Sequence, residues 1–275
     1  MNRNIIIGKK SFELGKRTYI MGILNVTPDS FSDGGIYQSV ESVVLRAGEM
    51  IHQGADIIDV GGESTRPGHT PVDENEEIRR VVPAIKGLTD RYDIPVSIDT
   101  YKAKVAEAAI QNGAAMINDV WGFKRDPLIA KVAAEYGVAC CLMHNREKAV
   151  YNNIISDMLD DLKESINIAL NAGVRSENII IDPGIGFAKT YEENLQVMNQ
   201  LEKFTSLGYP LLLGTSRKSM IGNTLHLPTN QRVEGTIATT VVGIMKGCDF
   251  VRVHDIEQNR RAIVMTDTIV RRQIE

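Results

Sequence analysis

The chain has 275 residues, 31 of them basic and 35 acidic, for a formal net charge of −4, and 43% of its residues are hydrophobic. That length supports a large core without disulfide or metal staples, and the mild acidity excludes a protein whose main task is coating nucleic acid or anionic membrane. No apolar run approaches the ~18 residues of a membrane span, and the apolar part of MNRNIIIGKK is too short for a signal peptide, so the reading is a cytoplasmic protein that engages no membrane.

Residues 3–17 form a short polar lead that reads as a hairpin closing the bottom of the main fold. After it, short apolar runs alternate with longer amphipathic stretches, the pattern of a parallel α/β fold. The strand-like runs are 19–25, 56–60, 95–99, 115–119, 138–143, 178–182, 210–214 and 249–254. Helix-like stretches lie between and after them, at 39–53, 73–91, 102–112, 127–136, 154–172, 191–206, 230–246 and 256–272. Asp73 with Glu76, Thr190 with Glu193 and Asp255 with Gln258 are spaced as capping boxes or their Asp variants. Eight β–α units over about 255 residues predict an α/β fold of one domain: a short lead at 1–17 and a (β/α)8 TIM barrel over 18–275. A doubly wound open sheet is the alternative, but NVTPDSFSDGG stands where a GxGxxG turn would be needed. Cys140 and Cys141, adjacent in an apolar run, and the isolated Cys248 make no CxxC motif and read as reduced, buried thiols.

In such a barrel the chemistry lies where strands end. Those ends carry Asn25, Glu63, Asp99, Asn118, the Met143–His144–Asn145 run, Asp182, the Ser216–Arg217–Lys218 run, and Arg252 with His254. Helix capping accounts for one such residue but not for a full ring. Alternation puts Phe250, Arg252 and His254 on one face of the last strand, so a cation and an imidazole point together into the barrel or its mouth. A buried Arg needs an anion. The position after strand eight favours a ligand phosphate over a protein carboxylate. Asp99, Asn118 and Asp182 form a second group whose acceptors and donor suit a flat heterocycle with several N–H edges. Taken singly, each has a plainer reading as a cap, a turn residue or, for Asp99 or Asp182, a salt-bridge partner of Lys218. The loops 26–38 and 61–71 are long, polar and rich in Gly and Pro, as lids or substrate clamps are. Trp121 reads as packing, Asp73–Glu77 as a solvated helix start, and His52 and His226 as residues without a role. His69, within the second loop, is open.

Eight segments in order then carry a resemblance: MGILNVTPDSFSDGG at 21–35, ADIIDVGGESTRPG at 55–68, PVSIDT at 95–100, INDVWG at 117–122, LMHN at 142–145, IIIDPGIGFAKT at 179–190, TSRKSMIG at 215–222 and VRVHD at 251–255. Over essentially its whole length the chain resembles the dihydropteroate synthases. Ile185 and Ala188 depart from it, standing where some members carry Phe and Gly. The resemblance implies a transferase of folate biosynthesis that joins 7,8-dihydropterin-6-ylmethyl diphosphate to 4-aminobenzoate with release of diphosphate, assisted by Mg2+. It places the pterin at Asp99, Asn118, Met143, Asp182, Gly214 and Lys218, and the diphosphate at Asn25, Arg66, Arg252 and His254, with Asn25 also on the metal. It places 4-aminobenzoate at Phe31, Thr65, Arg66, Pro67, Phe187, Lys218 and Ser219, and gives catalytic weight to Asp33, Asp99, Asp182, Lys218 and Arg252. It further implies inhibition by sulfonamides and a homodimer, for which the last helices are the place to look. A pterin-dependent methyltransferase, or a non-catalytic pterin- or phosphate-binding barrel, are the competing readings. A methyl donor needs no Arg–His anion end, and none of the charged residues expected of a synthase is missing.

Overall fold

The computed structural model describes residues 4–26, 35–63 and 72–271. The lead is a two-stranded antiparallel hairpin, β1 (Asn4–Ile7) and β2 (Lys10–Glu13). Eight parallel strands and their helices come after it: β3 (Tyr19–Asn25), α1 (Gly35–His52), β4 (Ile57–Gly61), α2 (Glu74–Arg91), β5 (Val96–Asp99), α3 (Ala103–Gln111), β6 (Met116–Asp119), α4 (Leu128–Tyr136), β7 (Ala139–Met143), α5 (Ile154–Asn171), β8 (Ile179–Asp182), α6 (Tyr191–Asn199), β9 (Leu212–Leu213), α7 (Ser219–Leu225), α8 (Val233–Met245), β10 (Phe250–Val253) and α9 (Ile256–Val270). The strand order is β8-β7-β6-β5-β4-β3-β10-β9, and a parallel bridge between Ile181 and Leu211 joins its two ends. The sheet is therefore closed, a (β/α)8 barrel, and the open doubly wound sheet is set aside. Among the described residues no helix is long and apolar enough to cross a membrane.

Strand alternation divides the barrel into two cores. Outward-facing residues such as Ile20, Ile58, Val60, Ile98 and Ile117 join the helices in one large cluster. Inward-facing ones, Tyr19, Met21, Ile57, Met116, Ala139, Cys141, Ile180, Leu212 and Phe250, form a second cluster with Ile5, Ile7 and Phe12 of the hairpin. Phe12 meets Tyr19 edge-on with ring centroids 4.9 Å apart and lies 5.8 Å from Phe250, so the hairpin plugs the lower end of the barrel with Ile5, Ile7 and the Phe12 ring. This plug is the floor of everything above it. Across the closure, Tyr19 and Phe250 pair in register, and Thr18 donates from its backbone N and its Oγ1 to Asp267 of α9 at 2.6 and 2.8 Å.

The helices depart from the sequence expectations in five places. α1 starts at Gly35 rather than at 39, in keeping with an apolar spacing that runs Ile36, Val40, Val43, Val44. The stretch 191–206 splits into α6 and 3-10 turns over Leu201–Leu207, where Leu201 and Phe204 bury at a spacing of three, which suits the tighter helix. α7 was not foreseen: it spans seven residues, too few for a clear apolar period. Of the three capping boxes, Thr190–Glu193 is complete. Asp73 accepts from Asn75 N, while Glu76 pairs with Arg79 and Arg80 instead of closing the box. Asp255 makes no cap, because its carboxylate is taken by Arg217, whose Nε donates to it at 2.9 Å. All three cysteines are free and buried.

Candidate active site

Above the apolar floor, the inward-facing positions turn polar. β4 brings Asp59 and Gly61 inward, β5 Ser97 and Asp99, β6 Asn118, β8 Asp182 and β10 Arg252, and the register places Asp59 beside Ser97, Gly61 beside Asp99 and Asp99 beside Asn118. Arg252 joins them: its Nε donates to Asp59 Oδ2 and one terminal N to Asp99 Oδ2, both at 2.6 Å, while Asn118 Nδ2 donates to the same Asp59 Oδ2 at 3.0 Å. Where the sequence reading favoured a ligand phosphate, the structure shows protein carboxylates already paired with Arg252. Two carboxylates of the barrel interior already hold the guanidinium, since a fork this deeply buried is too costly to leave unpaired.

Among the described residues, three buried oxygens in this layer have no hydrogen-bond partner: Asp59 Oδ1, Asp99 Oδ1 and Ser97 Oγ. Buried polar atoms are nearly always satisfied, so orphans in one layer mark a place prepared for water or, at Asp99 with its small exposure, for another molecule's polar groups. Burial pushes the Asp99 carboxyl up from its ordinary range; the Arg252 charge opposes the shift and Asp59 adds to it. Burial likewise raises Asp182, against the pull of Lys218 and of the hydrogen bond that Asp182 Oδ1 accepts from Gly184 N at 2.7 Å. Gly214 keeps the space between them open: a Cβ there would lie 3.7 Å from Asp182 Oδ2 and 3.8 Å from Arg252 Cβ.

Lys218, the residue before α7, does not pair with Asp182. Its Nζ donates to Ile185 O and lies 4.5 Å from the centroid of the Phe187 ring. Burial lowers its pKa to about 8, against the carboxylate of Asp182. The loop it touches is held by Lys189, whose Nζ donates to Gly184 O at 3.0 Å and Phe187 O at 2.9 Å and lies 3.0 Å from His144 Nδ1. Gly184 has φ +67, and a Cβ there would lie 2.1 Å from His144 O, so only glycine fits. Ala188 in the same loop has φ +44, the left-handed region that costs an L residue about 1 kcal/mol. Ala188→Gly should therefore raise the unfolding free energy by roughly 0.5 kcal/mol after the loss in unfolded-chain entropy. Urea titration checks this, and a decrease would mean that the Ala methyl contributes packing worth more than the strain.

The fully buried His144 side chain accepts from Lys189 at Nδ1 and donates from Nε2 to Asp161 Oδ2 at 2.9 Å, which makes it a neutral imidazole held from both sides. Burial lowers its pKa from 6.5 to about 4. A depressed histidine means that the unfolded chain takes up the proton first, so stability is full above pH 6.5 and falls as the pH drops toward 4, by about 3 kcal/mol in all. Lys189, lowered to about 7, is protonated in both states below that pH and adds no slope there. Denaturation midpoints of the wild-type chain and of His144→Gln at pH 7.5 and 4.5 test this. The same acid sensitivity in both would remove His144 as its source.

The remaining sequence candidates are distributed around this layer. Asn25 is exposed at the end of β3, and its Oδ1 and Asp99 Oδ2 each lie 3.7 Å from where a Gly61 Cβ would be. Met143 is buried at the end of β7, Phe187 is half-buried, and Ser219 is exposed at the first turn of α7. His254 Nδ1 is 2.9 Å from Ser216 Oγ. Phe31, Asp33, Thr65, Arg66, Pro67 and His69, with most of the two loops expected to act as lids, lie outside the described residues. Trp121 is half-buried with the Arg125 guanidinium 4.9 Å from its ring.

Two expectations are corrected nearby. Glu63 and Glu77 are 4% and 1% exposed, and Lys102 Nζ donates to both, at 2.5 and 2.6 Å. The acidic helix start is therefore only partly solvated, and Glu63 belongs to an ion cluster that also receives Tyr101 OH and Val72 N. Asp59 and Lys189 were missed. Asp59 was legible, since a charge amid IIDVG falls on the inward parity of its strand. Lys189 carries no such signal.

The sequence matches the pterin binding enzyme family over residues 21–254. It is 66% identical over 267 residues to the dihydropteroate synthase of Clostridium beijerinckii, covering 97% of this chain and 99% of the relative. The chain belongs to the pterin binding enzyme family, among its dihydropteroate synthases. Solved structures agree with the assignment. A dihydropteroate synthase from Clostridium difficile, in the presence of pteroic acid, superposes with a TM-score of 0.93 at 54% identity over 95% of this chain and 100% of the other. One from Xanthomonas albilineans, with 4-aminobenzoic acid, gives 0.92 at 37% identity over 98% of each. The chain is a transferase, and the methyltransferase and non-catalytic readings are set aside.

Proposed function

We propose that the chain joins 7,8-dihydropterin-6-ylmethyl diphosphate to 4-aminobenzoate at the mouth of this barrel, by dissociative cleavage of the methylene C–O bond. The observation that carries the reading is the layer of acceptors, Asp99, Asn118 and Asp182, around Arg252 and above an apolar floor. Such a layer suits a flat ring rich in N–H groups. As the C–O bond breaks, positive charge spreads from the methylene into the pterin, and the carboxylates of Asp99 and Asp182 offset it through the N–H groups they hold. Met143 and Gly214 give the ring its walls and its room. Arg252, His254 and Asn25 take the departing diphosphate, a role the family resemblance also gives to Arg66; Arg252 does so while remaining anchored on its carboxylates. Lys218, held over Phe187, stands between the pterin and the aminobenzoate, whose surroundings are Phe31, Thr65, Arg66, Pro67, Phe187 and Ser219, with Asp33 on the first loop. The amine nitrogen takes the methylene carbon and loses a proton, so no protein nucleophile is required.

Mg2+ fits these residues. It is held by one or two protein oxygens together with water and substrate phosphate, and Asn25 offers such an oxygen at the mouth, on the rim next to Gly61 and Asp99. When bound, it supplies positive charge to the leaving diphosphate. An assay of diphosphate release tests the reading: release should require both the pterin diphosphate and 4-aminobenzoate, and no release with both present would overturn it.

A homodimer through α8 and α9 is part of the proposal. Val242 and Met245 on α8, and Val264, Met265, Ile269 and Val270 on α9, are exposed on a packed helix pair, an apolar patch of the kind that marks an interface. Met245→Lys combined with Met265→Lys should yield monomers in sedimentation. An unchanged mass would move the interface elsewhere.

A further inference from the structure

Asp59 lies in the middle of β4, on the inward parity, and is fully buried. A carboxylate in a strand covered on both faces is costly unless it is used. Its use is specific. One oxygen, Oδ2, accepts at once from Asn118 Nδ2 on β6 and from Arg252 Nε on β10, so side chains from two other strands meet on a single atom.

The two ends of an amide are alike in shape and opposite in hydrogen-bond sense. With Nδ2 tied to Asp59, Asn118 is left with its Oδ1, which accepts from no donor among the described residues, as the end it offers to a bound ring. Without that tie the amide can turn over and offer a donor instead. The same oxygen sets the roll of the Arg252 guanidinium, because fixing Nε brings a terminal N onto Asp99 Oδ2. Asp59 has no exposure of its own, so it acts through these neighbours rather than by touching a ligand.

We propose that Asp59 is the positioning residue that sets the hydrogen-bond polarity of the pterin pocket, fixing Asn118 as an acceptor and Arg252 in its roll, and thereby selecting a ring with a donor edge over an analogue with an acceptor there. This rests on the assignment of the pocket to the pterin.

The test uses the purified full chain with two probes, 6-hydroxymethylpterin and 6-hydroxymethyllumazine, which carries a carbonyl in place of the 2-amino group. Calorimetry should show the wild-type chain preferring the pterin by at least about tenfold, the scale of a donor facing an acceptor instead of another acceptor. In Asp59→Asn and in Asp59→Ser that preference should shrink at least fivefold. The KM for the pterin diphosphate should rise about tenfold and the KM for 4-aminobenzoate should stay within about twofold, while the thermal midpoint falls because Arg252 keeps only Asp99 as its counter-ion. Two variants are measured so that a folding failure of one leaves the other to decide. An unchanged pterin-to-lumazine ratio in a folded variant overturns the proposal alone. Equal loss of both probes with a raised KM for 4-aminobenzoate also overturns it, in favour of a structural role. Absence of pterin binding by the wild-type chain overturns the pocket assignment and the proposal with it.

Discussion

Asp182→Asn is expected to lower turnover by a factor on the order of 10² or more while leaving the barrel folded. The carboxylate ends β8 with 5% of its surface exposed, and one oxygen is already committed to Gly184 N. The other faces the room left by the missing Gly214 side chain, where an incoming N–H would meet it. Asparagine keeps the shape but loses the charge, and in one of its two orientations it sets a donor against a donor. Stability should not suffer. Burial already disfavours the charged form of Asp182, so its removal relieves a cost rather than creating one. Lys218 loses the carboxylate that offsets its own desolvation, and its pKa should fall below its present value of about 8. Steady-state kinetics, together with calorimetry of a pterin analogue, decide the matter, and wild-type affinity in the folded variant would take Asp182 out of the pocket.

Arg252→Ala should cost about 3–5 kcal/mol of stability, the usual penalty for stripping the counter-ion from buried charges. Asp59 and Asp99 would be left together in the barrel without the guanidinium that now bridges them. The loss should also depend on pH. A carboxyl whose folded pKa is raised, as that of Asp99 is, is destabilising above its unfolded value and is relieved when it protonates. Without Arg252 that rise becomes larger, so the variant should regain stability relative to wild type as the pH falls from neutral toward 5. Because the same guanidinium organises the acceptor layer, affinity for a bare pterin should fall together with affinity for diphosphate. A stability loss under about 1 kcal/mol with no pH trend would mean that the interior carboxylates find other partners.

The strands were legible because each is a short apolar run between polar stretches, and the closed barrel came from counting eight of them. Asp99, Asn118 and Asp182 were legible as a group because polar residues at the ends of fully buried strands have few structural uses. The partner of Arg252 was not. A sequence states that a buried guanidinium needs an anion, but Asp59 and Asp99 are 193 and 153 positions away from it, and only closure of the sheet brings them together. Glu77 misled for a similar reason: its neighbours Asp73, Glu74 and Glu76 mark a solvated helix start, while the cation that buries it, Lys102, comes from the residue before the next helix. Lys189 acts on backbone carbonyls, which have no letter in the sequence.

The seam between β3 and β10 has a consequence for synthesis. Thr18 and Asp267, joined there, are 249 positions apart, so a nascent chain carries β3 with an unsatisfied edge until almost all of the polypeptide has left the ribosome. Helix pairs and neighbouring strands can form as they emerge, but the Phe12 ring of the hairpin has no complete socket until Phe250 arrives. Contacts of such long span make folding slow and leave a partly made sheet exposed to other chains. A chain released before β10 would lack Arg252 as well as the seam, so the last strand to be synthesised both closes the barrel and neutralises the carboxylates inside it.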